Sequence, residues 1–138
     1  MIMWMAIAIA LPMTFLSDWV IGLLYGEQYY LAGGVLMIHI WAGIFVALGV
    51  VRGPWLLSEN LQKFTPIYTG VGMVSNIILN YFLIQSHGIE GAAFATLTGQ
   101  IISVIIAPMM FKKTRVSVRM MLKSLSLKSS ILRVNKKL

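Results

Sequence analysis

Residues 31–51 read LAGGVLMIHIWAGIFVALGVV, an unbroken run of 21 residues with no Asp, Glu, Lys or Arg. A helix of that length rises about 32 Å, which matches the hydrocarbon core of a bilayer. Two runs of the same kind follow at residues 64–85 and 91–111. A fourth, residues 1–25, precedes it and carries a polar interruption at Ser17-Asp18. In lipid an open strand would leave backbone groups unpaired, so each run is read as a helix.

The composition agrees. Hydrophobic residues make up 59% of the chain and charged residues 11%, where soluble domains carry about 25% charged, and the mean hydropathy is +0.85. The expected fold class is an all-α integral membrane protein: four transmembrane helices in an antiparallel bundle over residues 1–111, followed by a basic amphipathic tail over residues 112–138. The links are short. Gly26–Tyr30 joins the first two runs and Ser86–Glu90 the last two, while Arg52–Lys63 holds Gly53-Pro54 as a helix stop and Glu59-Asn60 as a turn.

The net charge of +7 would suggest nucleic acid if it were spread over the chain, but nine of the 11 basic residues lie after Phe111. The other two, Arg52 and Lys63, fall in the link that shares a side with the tail; the opposite links carry Glu27 and Glu90. By the positive-inside rule both termini face the cytoplasm, and the expected location is a bacterial inner membrane. In the tail, Lys112, Lys113, Arg115, Arg119 and Lys123 form a basic face, with Val118, Met121, Leu122 and Leu125 on another side. That pattern fits a helix anchored on anionic lipid. With no aromatic residue for base stacking, the tail gives no reason to expect nucleic acid as a partner. The chain opens directly on an apolar run without a basic leader, so it is expected to start inside a larger protein rather than with a secretory signal.

Polar groups at membrane depth are the candidates for function, because each is costly there unless paired or wetted. Asn76 and Asn80 share one helical face with Thr65, Thr69 and Gly72; Thr96, Gly99, Gln100 and Ser103 form a similar face on the next run. Two readings stand: a polar path for a substrate, or interhelical hydrogen bonding between small and polar residues. His39 lies in the middle of its run with no carboxylate in any run beside it, which favours a neutral, hydrogen-bonded imidazole over a proton relay. There are no cysteines, no paired-carboxylate motif, no metal-ligand spacing and no phosphate-binding glycine loop. Neither an enzyme, a metal nor a cofactor is expected.

Two stretches resemble a known family. Leu23-Leu24-Tyr25-Gly26-Glu27-Gln28-Tyr29 is similar to a late loop-and-helix pattern of polysaccharide flippases. Asn76-Ile77-Ile78-Leu79-Asn80, followed by Gly88-Ile89-Glu90-Gly91-Ala92-Ala93-Phe94-Ala95-Thr96, resembles the C-terminal part of Wzx-type O-antigen flippases of the multidrug/oligosaccharidyl-lipid/polysaccharide exporter superfamily. The resemblance covers residues 12–111 and implies the last four helices of a twelve-helix exporter. It implies transport of an undecaprenyl-diphosphate-linked oligosaccharide by two rocking bundles, with Asn76, Asn80, Gln100 and His39 along the substrate path. It also implies cations for the diphosphate. With no Lys or Arg inside a run, these would come from Arg52 and Lys63 at a cytoplasmic mouth, or from N-terminal helices supplied as a partner. A related multidrug or peptidoglycan-precursor exporter shares this fold. A small membrane adaptor, docking other proteins of polysaccharide assembly through Gly- and Ala-rich faces, is the alternative from another class. A glycosyltransferase or polymerase fragment would need a larger extramembrane loop than residues 52–63.

Overall fold

The computed structural model describes residues 2–29 and 31–125, which are helical almost throughout, with no strand among them. Three stretches are long and apolar enough to cross a membrane: Trp4–Tyr25, Ala32–Ser58 and Gln62–Met110. Their large side chains point outward to a degree no water-soluble protein would tolerate. Phe15, Val50, Tyr81 and Met110 are each more than 60% exposed, as expected where the solvent is hydrocarbon.

Helix α1 (Ile2–Tyr25) runs through Pro12 and through Ser17-Asp18 without a break. The polar pair is accommodated within the helix because Ser17 is buried and Asp18 packs directly over Gly33, where no side chain stands in its way. Gly26, at φ +88°, ends the helix, and a short 3₁₀ turn over Glu27–Tyr29 leads to α2 (Ala32–Ser58). The two helices pair side by side, with Trp41 Nε1 donating to Thr14 Oγ1 at 3.1 Å. Ala10, Ile44, Leu48, Val104 and Met121 form the shared core.

Helix α2 does not stop at Gly53-Pro54. It continues to Ser58 and closes on the turn expected at Glu59-Asn60. The closure is a Schellman motif: Asn60 sits at φ +54°, its N–H donates to Leu57 O, and Leu61 N–H donates to Leu56 O at 2.7 Å. Proline so near a helix end disturbs little beyond the one carbonyl it leaves without a donor. Arg52 is thereby drawn inside a membrane-length helix rather than placed in a link. The expectation that no Lys or Arg lies within such a run is overturned.

After a 3₁₀ turn at Gln62–Phe64, α3 (Thr65–Ile101) begins with Pro66 in its first turn. A π-helical segment, Ile102–Ile106, and the short α4 (Ala107–Met110) extend it. Straight, the 49 residues of Gln62–Met110 would reach about 74 Å, more than two bilayer cores. They do not run straight. Gly88, at φ +56° and ψ −134°, breaks the helix into two arms that fold back on each other. Contacts step down one arm as they step up the other, from Gly72 against Ser103 through Asn76 against Gly99 to Leu83 against Gly91. All converge on His87-Gly88. The five-residue link expected over residues 86–90 is in fact one non-helical residue.

A break at Phe111, which is extended at φ −98° and ψ 123°, redirects the chain into α5 (Arg115–Leu125). Thr114, Ser117, Val118 and Met121 are buried. Val118 and Met121 of the apolar side of α5, expected to lie on lipid, instead pack on the helical body, leaving Arg115 and Arg119 exposed. The side chains of Leu122, Lys123 and Leu125, and all residues from 126 onward, lie outside the described residues.

Candidate functional site

The two arms of α3 meet where they are smallest. A Cβ added at Gly72 would lie 2.8 Å from Gly99 O and 2.6 Å from Ser103 Cβ; one added at Gly99 would lie 3.0 Å from Gly72 O. Backbone touches backbone at this point, as small residues at helix crossings allow. Beside the crossing lies a cavity of about 310 Å³, lined by Thr69, Gly72, Met73 and Asn76 of the first arm and by Thr96, Gly99, Gln100 and Ser103 of the second. That volume sits at the lower end of the range for small-molecule pockets, about 300–1,000 Å³. The two polar faces anticipated from spacing are therefore brought together around one space.

A string of hydrogen bonds runs along its edge. Asn80 Nδ2 donates to Asn76 Oδ1 at 3.0 Å, Asn76 Nδ2 reaches Thr96 Oγ1 at 3.4 Å, and Thr96 Oγ1 donates to Ala92 O at 3.0 Å. Asn80 Oδ1 is buried with no hydrogen-bond partner among the described residues. An unsatisfied amide oxygen at membrane depth is a poor device for holding helices together, because its desolvation is uncompensated. Gln100 is half-buried at the cavity wall. His39 is not part of this site; it is exposed on the outer face of α2.

At the other end of the arms a second cluster surrounds Arg52. Its side chain is 6% exposed, and Nη1 donates to Val104 O at 2.9 Å while Nε is buried without a partner among the described residues. The guanidinium carbon lies 5.2 Å from the centre of the Tyr68 ring, Tyr68 stacks on Phe64, and Lys63 Nζ lies 5.8 Å from the centre of Phe64. Arg52 and Lys63 thus stand at the two ends of one aromatic ladder, the first buried and the second exposed. Tyr68 is 1% exposed and its hydroxyl donates to Thr114 Oγ1, which donates to Pro108 O at 2.9 Å. Tyr68, Thr114 and Pro108 carry this joint, and spacing alone did not single them out. The one signal available was Pro108 four residues after Val104, which strips that carbonyl of its helical donor.

Of the four acidic residues, Glu59 caps α2 at this same end, and Asp18, Glu27 and Glu90 lie at the opposite one. Asp18 lies over Gly33, and Glu90 Oε1 lies 2.8 Å from where a Cβ of Gly34 would stand. Both carboxylates rest on the first turn of α2, where the helix dipole favours negative charge. Among the described residues no three His, Cys, Asp or Glu side chains gather in a way that could hold a metal ion.

No protein-family profile matches the chain, and no solved structure does. Over 80 residues, 58% of its length, the chain is 36% identical to a protein of Haloferax volcanii named "Probable low-salt glycan biosynthesis flippase Agl15". The chain spans 17% of the length of that relative. The similarity is to a glycan flippase, a transporter by name rather than an enzyme. The relative is archaeal, so it speaks neither for an O-antigen nor for a bacterial inner membrane.

Proposed function

We propose that this chain forms part of a flippase for a lipid-linked glycan, with the seam between the arms of α3 lining the path of the sugar. The observation that carries the reading is the convergence of Asn76, Thr96, Gln100 and Ser103 on one 310 Å³ cavity inside an otherwise apolar helical hairpin. A glycan hydroxyl needs donors and acceptors in place of water, and the amide and hydroxyl groups here offer both. The similarity to a glycan flippase over 58% of the chain supports the same reading.

In this reading α1, α2 and the two arms of α3 make four crossings. The end bearing Lys63, Arg115 and Arg119 faces the cytoplasm, and the end bearing Asp18 and Glu90 faces out, in keeping with the positive-inside rule. The diphosphate would be met by cations elsewhere in the assembly, because Arg52 is engaged with Val104 O and Tyr68. The O-antigen of a bacterial inner membrane is the substrate suggested by the sequence motifs.

The test is Asn76→Leu with Asn80→Leu, made in the protein as its host produces it and read as surface glycan against protein level in the membrane. The two amides lose their bond to each other and the 3.4 Å contact to Thr96, while Thr96 Oγ1 keeps its bond to Ala92 O. The change is therefore expected to leave the protein folded and to lower surface glycan. Normal glycan at normal protein level would overturn the proposal and leave the seam as packing, which is what an adaptor would require.

A further inference from the structure

Helix α5 has a groove on the flank away from Arg52. It is open, about 480 Å³ in volume, and walled by Ile106, Met109 and Met110 on one side and Arg115 and Arg119 on the other. The first three are exposed side chains of the segment that ends the second arm of α3, and Met110 is among the most exposed in the molecule at 72%. In a bilayer these are lipid-facing. The two arginines are one helical turn apart, on the same face of α5.

We propose that this groove binds the headgroup phosphate of one anionic phospholipid, whose acyl chain lies along Ile106, Met109 and Met110. Arg115 is already oriented for the role, since its Nε donates to Met109 O at 3.0 Å, leaving both Nη groups of the fork to meet phosphate oxygens. The next guanidinium, Arg119, completes a two-cation clamp. The segment that carries them, residues 112–138, has no acidic side chain to compete for them. A free phosphate would use the arginines and ignore the apolar wall; an amphiphile uses both, and the groove supplies both. The site is local, unlike the diffuse attraction of a basic tail to a charged leaflet, and it depends on the chain lying in a bilayer but not on what the chain transports.

The experiment is native mass spectrometry of the full chain taken from nanodiscs of phosphatidylcholine with a minority of phosphatidylglycerol, counting the lipid retained as detergent is raised. The expected result is one phosphatidylglycerol retained in preference to phosphatidylcholine. Arg119→Gln should lower that preference roughly fivefold. Lys112→Gln with Lys113→Gln, which removes more charge from the same end but not from the groove, should leave it unchanged. Equal loss in both variants would overturn the proposal in favour of diffuse charge, as would the absence of any phosphatidylglycerol preference. Displacement of the lipid by inorganic phosphate alone would also overturn it, making the site one for a small anion. Labelling of a cysteine placed at the buried Ser117 reports whether α5 stays docked in each variant. If Arg119→Gln undocks it, Arg119→Lys, which keeps the charge but lacks the fork, is expected to stay docked and hold the lipid more weakly than wild type. Retention by Arg119→Lys at the wild-type level would overturn the clamp.

Discussion

Arg52 donates a hydrogen bond of 2.9 Å to Val104 O, the carbonyl whose α-helical donor would be the N–H that Pro108 lacks. One helix supplies a cation where another has lost a donor, and the π-helical turn at Ile102–Ile106 presents that carbonyl toward it. Buried arginine is costly at membrane depth, so the arrangement holds only while its acceptor and the Tyr68 ring are in place.

The pairing predicts a coupling. Arg52→Met should destabilise the protein by about 1–3 kcal/mol, the desolvation cost of a bared carbonyl. In a Pro108→Ala background, where residue 108 regains an N–H for Val104 O, the same change should cost markedly less. Thermal unfolding of the four proteins in one detergent closes the cycle, and strict additivity would show that Arg52 and Pro108 act separately.

Gly72 is expected to tolerate no side chain. Gly72→Ala places its Cβ against Gly99 O and Ser103 Cβ, and overpacking of this kind typically costs about 1–3 kcal/mol. Lower thermal stability is the expected outcome. A matching change at Gly70, where an added Cβ meets nothing within 4 Å, should be harmless.

Gly88 holds the hairpin bend at φ +56° and ψ −134°. A side chain there is strained whatever the space, by about 1–3 kcal/mol. Gly88→Ala should reduce the yield of folded protein. Wild-type yield and melting temperature would mean that the bend is held elsewhere.

Tyr68→Phe removes the hydroxyl that donates to Thr114 and so loosens the attachment of α5. A net loss of about 1 kcal/mol is expected, as for one buried hydrogen bond. The more telling readout is faster labelling of a cysteine placed at Ser117, which is clean because the chain has no cysteine of its own. Unchanged labelling would show that α5 is held without this bond, by the burial of its Val118 and Met121 and by Arg115 Nε on Met109 O.

The helical pattern was legible because a run of apolar residues has few other uses. The turn at Glu59-Asn60 and the faces meeting at Asn76 and Thr96 were also legible, being set by residues close in sequence. What could not be read depended on distant partners. Gly53-Pro54 has the local signature of a stop, yet the helix continues to Ser58 and buries Leu56 beyond the proline. Ser17-Asp18 interrupts the apolar run, and only Gly33 across the neighbouring helix explains how the pair is accommodated within α1. The tail of α5 read as amphipathic, but spacing does not say whether protein or lipid covers the apolar side. Burial of Val118 decides for protein.

The stepwise pairing of the α3 arms about Gly88 has a consequence for how the chain is made. Every partner on one arm is reached through a short, nearby bend, so the hairpin closes with little loop entropy and can assemble as a unit during synthesis. The helices α1 and α2 pair in the same local way. Arg52 finds Val104 only when both units have left the ribosome, so joining them is the late and slow event. A mutation at that joint would leave two well-formed hairpins that fail to meet.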